Sequence, residues 1–387
     1  MSFAAETLFQ LLRIALGNEK SFSLPNAVDW RSVMDLSVEQ GVAAIALDGL
    51  QTIISSPEFL SKCYQGFIES FDSPSFAEFR YDWFANLLHS EGRYQEQWES
   101  AVKLSQLYTE NGLKTVVLKG FSIGQYYPCP NHRFCSDLDC YLISDSRPEM
   151  ELYDNSTIQE TGNRIVENIG NAVNRDYYRD SSFNFGSLHV ENHRYCTYVK
   201  GSKRKKRYEV LLRHLMLAGD LRPINGTFLL SPPPMFLALH TVSHAFGHFC
   251  SEGLSLRHIC DWAILMKQFS SEIDWEQWRV YCKEYGFLVF AETLSSVASK
   301  VCGVDIPFEC PSNLELDDRF IADIFKYKSN ITYSSSKRIR RQLIGKYIKR
   351  NWKYKLYSDT PMIIDLIQRG WGYIFEKNPK LTGIAII

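Results

Sequence analysis

The 387-residue chain has no apolar run approaching the roughly 18 residues that a membrane span needs. A protein that does not cross a bilayer is therefore expected. Its first residues, MSFAAETLFQLLRIALGNEK, lack a basic start and a small-residue cleavage site, and Glu6 and Arg13 interrupt the apolar stretch. No signal peptide is expected from that pattern. Ten cysteines occur without one CxxC pair. Their scatter fits reduced thiols in a cytoplasmic protein. Cys129, Cys135, Cys140 and Cys196 read as small packing residues. An excess of charge is missing too: the net charge is −1, which implies no partner at the whole-molecule level. There is no fixed-period repeat and no low-complexity tract.

What is present is ordinary globular material, 45% hydrophobic and 22% charged, with enough apolar residues for a large core. The length suggests about two to three domains. Residues 1–110 read as a helical region. Leu8, Leu11, Leu12 and Ala15 follow the helical period and Gly17 is a stop signal. Asp29 caps a second helix with Trp30, Val33, Met34 and Ser37 on one face. VAAIALDGL forms a buried third, and a long helix is expected from about Gly92 to Glu110, with Asn111 and Gly112 as its exit.

Residues 111–230 change character. Leu113 to Leu118 is strand-like, Phe121 to Tyr127 helical, Leu138 to Ile143 a second strand, and Thr157 to Asn174 a helix. A third strand is expected within Phe183 to Val199, where His189, Glu191 and His193 alternate. This is a mixed α/β core, and from Ser231 to the end the chain reads as helices. They run from Met235 to His248, Leu254 to Phe269, Trp275 to Tyr285 and Val289 to Val301, followed by a basic helical tail from Lys337 to Lys355. The overall class is α+β, with a core sheet flanked by N- and C-terminal helical regions.

The chemistry concentrates in Thr115 to Ile143, TVVLKGFSIGQYYPCPNHRFCSDLDCYLI. Asp137 and Asp139 are two apart on a strand and project from one face. Parallel carboxylates repel unless a cation lies between them, and Mg²⁺, which favours hard oxygen ligands, suits the pair. Such a pair alone is ordinarily a surface feature. Lys119 and Gly120 upstream sharpen it, because a glycine after a strand lets backbone amides approach phosphate, with a helix N-terminus behind. Lys119 or Arg133 can neutralise a pyrophosphate leaving group. Glu191 is the candidate third carboxylate of a two-ion clamp.

Leu118-Lys119-Gly120, a helix ending at Tyr127-Pro128, Arg133, and Ser136-Asp137-Leu138-Asp139 together resemble the signature of a family of uncharacterised nucleotidyltransferases in the DNA-polymerase-β-like superfamily. Val190-Glu191-Asn192-His193 is similar to that family's later strand, Leu239-His240 through His244 and His248 to its His-bearing helix, and Leu256-Arg257 with Asp261-Trp262 to the segment beyond. The likeness covers roughly Trp30 to Met266. It implies that Asp137, Asp139 and Glu191 bind Mg²⁺ (or Mn²⁺). It also implies phosphate contacts from Lys119, Gly120, Ser122, Arg133 and Ser136. The implied reaction moves an NMP group from an NTP to an unidentified hydroxyl acceptor, whether small molecule, protein or RNA. The phosphate turn departs from the superfamily's usual pattern in having Phe121 after Gly120, so Ser122 is expected to supply the hydroxyl.

Several features admit other readings. His240, His244 and His248 form one helical stripe, but Thr241 stands where the HExxH motif places its glutamate. They are expected to pack between helices or line the cleft. His189 and His193 flank Glu191 and leave a mixed His/carboxylate metal site open. Arg257 and Asp261 read as an i, i+4 ion pair. Lys203 to Arg207 reads as a solvated basic loop or, with the tail, as a polyanion track carrying Tyr347, Trp352 and Tyr354. Two alternatives stand beside the transferase: an inactive nucleotide-binding or interaction protein on the same fold, and a toxin-like transferase acting on RNA.

Overall fold

A computed structural model describes residues 2–20, 28–56, 74–144, 153–311, 313–326, 349–376 and 381. The N-terminal helices form where the sequence pattern places them. Helix α1 (Phe3–Ala15) is capped by Ser2 and followed by Gly17 at φ +67°. Helix α2 (Trp30–Glu39) begins at Asp29, whose carboxylate accepts from Ser32 N–H, and buries Trp30, Val33, Met34 and Ser37. Helix α3 (Ala43–Ile54) packs on α1. The long helix α4 (Pro74–Glu110) starts well before Gly92. An added side chain at Gly92 would meet nothing within 4 Å, so this glycine costs propensity without breaking the helix.

The chain then builds a six-stranded mixed sheet, framed by β1 (Leu113–Val117) and β2 (Leu138–Ser144) at its centre. The short α5 (Phe121–Gly124) and a 3-10 turn at Pro130–His132 lie between these two strands. After α6 (Ser156–Asn168) come β3 (Asp180–Phe185) and β4 (Leu188–His193). The expected single third strand is thus a hairpin, turned at Gly186 with φ +60°. Helix α7 (Lys203–Ala218) leads to β5 (Arg222–Pro223) and β6 (Leu229–Ser231). The strand order is β3-β4-β2-β1-β6-β5. Strand β2 runs antiparallel to β1 and parallel to β4, with Asp139 registered opposite Glu191.

Alternation along β2 divides the molecule. Leu138, Cys140 and Leu142 join a cluster with Ala101, Leu104 and Tyr108 of α4 and Val166 of α6. Tyr141 and Ile143 point the other way, into a larger cluster shared with the N-terminal helices and the helices that follow. Those are α8 (Pro234–Ser251), α9 (Leu256–Gln268), α10 (Trp275–Tyr285), α11 (Leu288–Cys302), α12 (Leu314–Ile324), α13 (Asn351–Tyr357) and α14 (Met362–Phe375). Asp139 lies on this second face, so α8 and α9 roof the carboxylates. Among the described residues no helix is long and apolar enough to cross a membrane. The expected tail helix from Lys337 lies outside them as far as residue 348.

The basic run at Lys203 to Arg207 is not a loop. It forms the first turns of α7, with Ser202 as N-cap. Arg204 pairs with Asp359 at 2.6 Å, Lys205 with Asp365 at 2.6 Å and Lys206 with Glu376 at 2.9 Å. Three of its five cations are therefore committed to carboxylates of the C-terminal segment rather than arrayed as a track.

Candidate functional site

The site is built where β1 ends and β2 begins. The ladder continues one step past β1, with Leu118 N–H donating to the Asp139 carbonyl at 2.9 Å, and this places Lys119 against the aspartates. Lys119 Nζ lies 2.9 Å from Asp139 Oδ2 and 3.9 Å from Asp137 Oδ2. Residues registered across a parallel strand pair share a face, so Glu191 stands beside Asp139 on the roofed side. His193, two residues on, shares that face. Its Nε2 is 3.1 Å from Asp139 Oδ1 and 3.4 Å from Glu191 Oε2, while its Nδ1 donates to the Tyr195 carbonyl at 3.1 Å. Arg179 lies 3.9 Å from Glu191.

The electrostatics follow from these contacts. Asp139 is only 4% exposed, whereas the Asp137 and Glu191 side chains keep 26% and 27%. Burial works against the Asp139 anion, but Lys119 and His193 outweigh it and hold this carboxyl well below its ordinary range. The His193 hydrogen bond also lowers Glu191. Burial pulls His193 down, yet its bonds to Asp139 and Glu191 win and lift it to about 9. Lys119 is likewise pulled down by burial and raised further by Asp139 and Asp137. The cluster therefore sets Asp137 beside two carboxyls held toward their anionic form, Asp139 and Glu191, with Lys119 and His193 between them. One donor atom each from Asp139, Glu191 and His193 lies within 4.8 Å of the others. Asp139 Oδ2 is buried, with the Lys119 ammonium 2.9 Å away.

A cavity of about 240 Å³ opens beside this cluster, lined by Lys119, Gly120, Ser136, Asp137, Arg257 and three histidines, His244, His248 and His258. A larger one, about 400 Å³, contains none of the carboxylates. It meets Ser243, Phe246, Gly247 and Cys250 of α8, whereas the smaller meets Thr241, His244, Ala245 and His248. The two spacings mark different faces of one helix. We place the site at the smaller cavity, because Lys119 and Asp137 line it and Lys119 reaches from it to Asp139, although Asp139 and Glu191 are not themselves in its wall.

A family model described as uncharacterised nucleotidyltransferase matches residues 26–303. The chain belongs to this nucleotidyltransferase family. Comparison with curated proteins and with solved structures finds no match for it. The match extends past Met266 to the end of α11, so the helices that roof the carboxylates are part of the family unit.

Within this nucleotidyltransferase the expected site residues have different fates. Asp137, Asp139, Glu191 and Lys119 converge. Ser136 is close, its hydroxyl donating to Asp137 Oδ1 at 2.9 Å. Ser122 is not available to a phosphate: it is wholly buried and its hydroxyl donates to the Val117 carbonyl, clasping the end of β1. Arg133 borders the cavity, but its guanidinium is engaged in a buried fork with Asp261, Nε to Oδ1 at 3.0 Å and Nη2 to Oδ2 at 2.7 Å. Tyr127 donates to the same carboxylate at 2.8 Å. The partner of Asp261 is thus Arg133 rather than Arg257. Arg257 instead lies 5.6 Å over the Phe134 ring and donates to the Phe134 carbonyl at 3.3 Å.

The histidines divide in the same way. His244 and His248 line the cavity, and burial holds His244 well below its usual value. His240 is deeper, bonded through Nε2 to the Cys196 carbonyl at 3.1 Å, and burial lowers it to about 4. His189 is exposed and bonds Asn184 at 3.0 Å, away from the cleft. Helix α5 spans four residues, too short for the expected helix-terminal contribution. His258 and Arg179 escaped the sequence reading. His258 falls one turn before Asp261, a spacing that could have flagged it; Arg179 carries no local signal.

Proposed function

We propose that the protein is a divalent-cation-dependent nucleotidyltransferase that transfers an NMP group from an NTP to a hydroxyl acceptor and releases pyrophosphate. The observation that carries this reading is the register of β2 on β4, which sets Glu191 beside Asp139 with Lys119 and Asp137 at the mouth of the cavity. Asp137, Asp139 and Glu191 would hold Mg²⁺ or Mn²⁺; their hard-oxygen donor set fits such ions, which would compete with Lys119 for Asp139 Oδ2. When bound, they supply charge neutralisation at the phosphates and acidify the acceptor hydroxyl.

The chain's own residues do the rest. Lys119 faces the cavity and neutralises negative charge on the phosphates as the Pα–O bond to pyrophosphate breaks. The acceptor oxygen forms its bond to Pα from the opposite side, and Glu191, as third ligand or base, would take the proton. The neutral imidazoles of His244 and His258 offer hydrogen bonds without adding charge. Arg133 and Asp261 hold the phosphate turn against α9.

A second reading has its own support. Lys119 and His193 already balance the carboxylates, as in a nucleotide-binding protein that performs no transfer. Calorimetry with several NTPs, with and without Mg²⁺, separates the two when run on wild type and on Asp137→Ala/Asp139→Ala. The transferase reading expects Mg²⁺-dependent binding that the double variant loses. It also expects α-labelled NTP to pass label to an acceptor in a cell lysate. Binding that persists without the aspartates, with no label transferred, overturns it. Label appearing in RNA would instead select the toxin-like alternative, for which the basic stretch, largely paired on its described residues, gives no support.

A further inference from the structure

Ligand-type side chains converge a second time, away from the carboxylate cleft, where the loop after α5 meets the N-terminal helices. We propose that Asp48, Cys129 and His132 form a zinc-binding site that fastens this loop to α3. Cys129 and His132 bracket the single 3-10 turn Pro130–His132, which closes with His132 N–H donating to the Cys129 carbonyl at 3.0 Å. Side chains three apart eclipse in such a turn, so the thiol and the imidazole share a side. Helix α3 supplies Asp48, whose Oδ2 is 2.7 Å from His132 Nδ1. One donor atom from each of the three residues lies within 4.8 Å of the others.

The donor chemistry selects the metal. A sulfur, a nitrogen and a carboxylate oxygen make a Zn²⁺ set, whereas Mg²⁺ and Ca²⁺ call for oxygen alone. Three protein ligands leave a fourth tetrahedral position for water. A histidine bound to metal through one nitrogen characteristically donates the other N–H to a carboxylate. Glu91 of α4 stands there, with Oε1 2.9 Å from His132 Nε2, and Asn131 Nδ2 donates to the same oxygen at 3.1 Å. The site is sheltered, with His132 at 10% and Asp48 at 19% side-chain exposure. The next residue is Arg133, so a metal here sets the loop that carries the buried fork and leads to Asp137.

The full-length chain, stripped by a chelator and desalted, tests this with Co²⁺, which adopts zinc's tetrahedral sites and shows a charge-transfer band when a thiolate coordinates it. The band is expected to saturate at a single equivalent in wild type and in Asp137→Ala/Asp139→Ala. It is expected to vanish in Cys129→Ser and His132→Asn, each first shown to be folded by circular dichroism. Glu91→Gln keeps the band but weakens affinity about ten- to a hundredfold. Zn²⁺ raises the melting temperature of wild type and leaves that of Cys129→Ser unmoved. Absence of the band at excess Co²⁺, or a band that survives Cys129→Ser, overturns the proposal and leaves His132 as a hydrogen-bonded bridge between Asp48 and Glu91. No nucleotide enters this measurement, so its failure and that of the transferase reading are distinguishable.

Discussion

Gly120 shows how tightly single residues are constrained around the site. Its backbone has φ +67° and ψ −108°, a region that residues with side chains rarely adopt, and an added Cβ would lie 3.2 Å from Cys135 Sγ. Gly120→Ala is therefore expected to cost about 1–3 kcal/mol, read from urea unfolding. Asp261 offers a pH test. Burial favours its neutral form, but the Arg133 charge and hydrogen bonds prevail and its folded value lies below the ordinary one. A lowered carboxyl gives stability that is present above the unfolded value of about 4 and lost as pH falls through the folded value. Acid unfolding followed by tryptophan fluorescence should show this loss in wild type and a flatter acid limb in Asp261→Asn. That variant is already destabilised at neutral pH by about 3–5 kcal/mol, because it leaves Arg133 buried without its counter-charge. Asp137, Asp139 and Lys119 were legible because strand alternation and a glycine turn are local signals. The engagements of Ser122 and Arg133 were not legible: the Ser122 hydroxyl turns back onto the Val117 carbonyl five residues away, and the Arg133 partner, Asp261, is tertiary.

Helix α7 is the element that reads least like itself in the sequence. Five cations at a helix N-terminus oppose the macrodipole, so KRKKR resembles a loop. What stabilises it comes from Asp359, Asp365 and Glu376, more than 150 residues later. The same helix buries Glu209 and Arg213 completely, paired at 2.7 Å. The Glu209 carboxylate also accepts Cys196 N–H at 3.0 Å and Thr197 N–H at 2.9 Å, which fixes the chain leaving β4 just past His193. Glu209→Ala strands a buried guanidinium and two amides, and a loss of about 3–5 kcal/mol in chemical denaturation is expected. The hairpin of β3 and β4 was half legible. The alternation at His189, Glu191 and His193 was visible, while β3 with its polar DSSFNF sequence was not.

Across the whole molecule, the sheet separates two hydrophobic clusters, and β2 lies at the centre of it with six of seven residues buried. Helix α14, by contrast, leaves Ile363, Ile367, Trp371, Ile374 and Phe375 more than half exposed. Hydrogen exchange by mass spectrometry should find the β2 and β1 amides slowest and α14 among the fastest, since protection follows burial and contact density.

Helix periods, caps, the glycine turns and the aspartate pair are set by the sequence alone, because each depends on residues within a few positions of one another. Which cations neutralise Asp139, and whether a basic stretch faces solvent or acid, were decided only by the tertiary structure, whereas Glu191 was named from the strand pattern and the register then set it beside Asp139. Strand register and burial bring together groups that no local pattern relates, and at those distances charge and desolvation, not propensity, determine what each side chain can do.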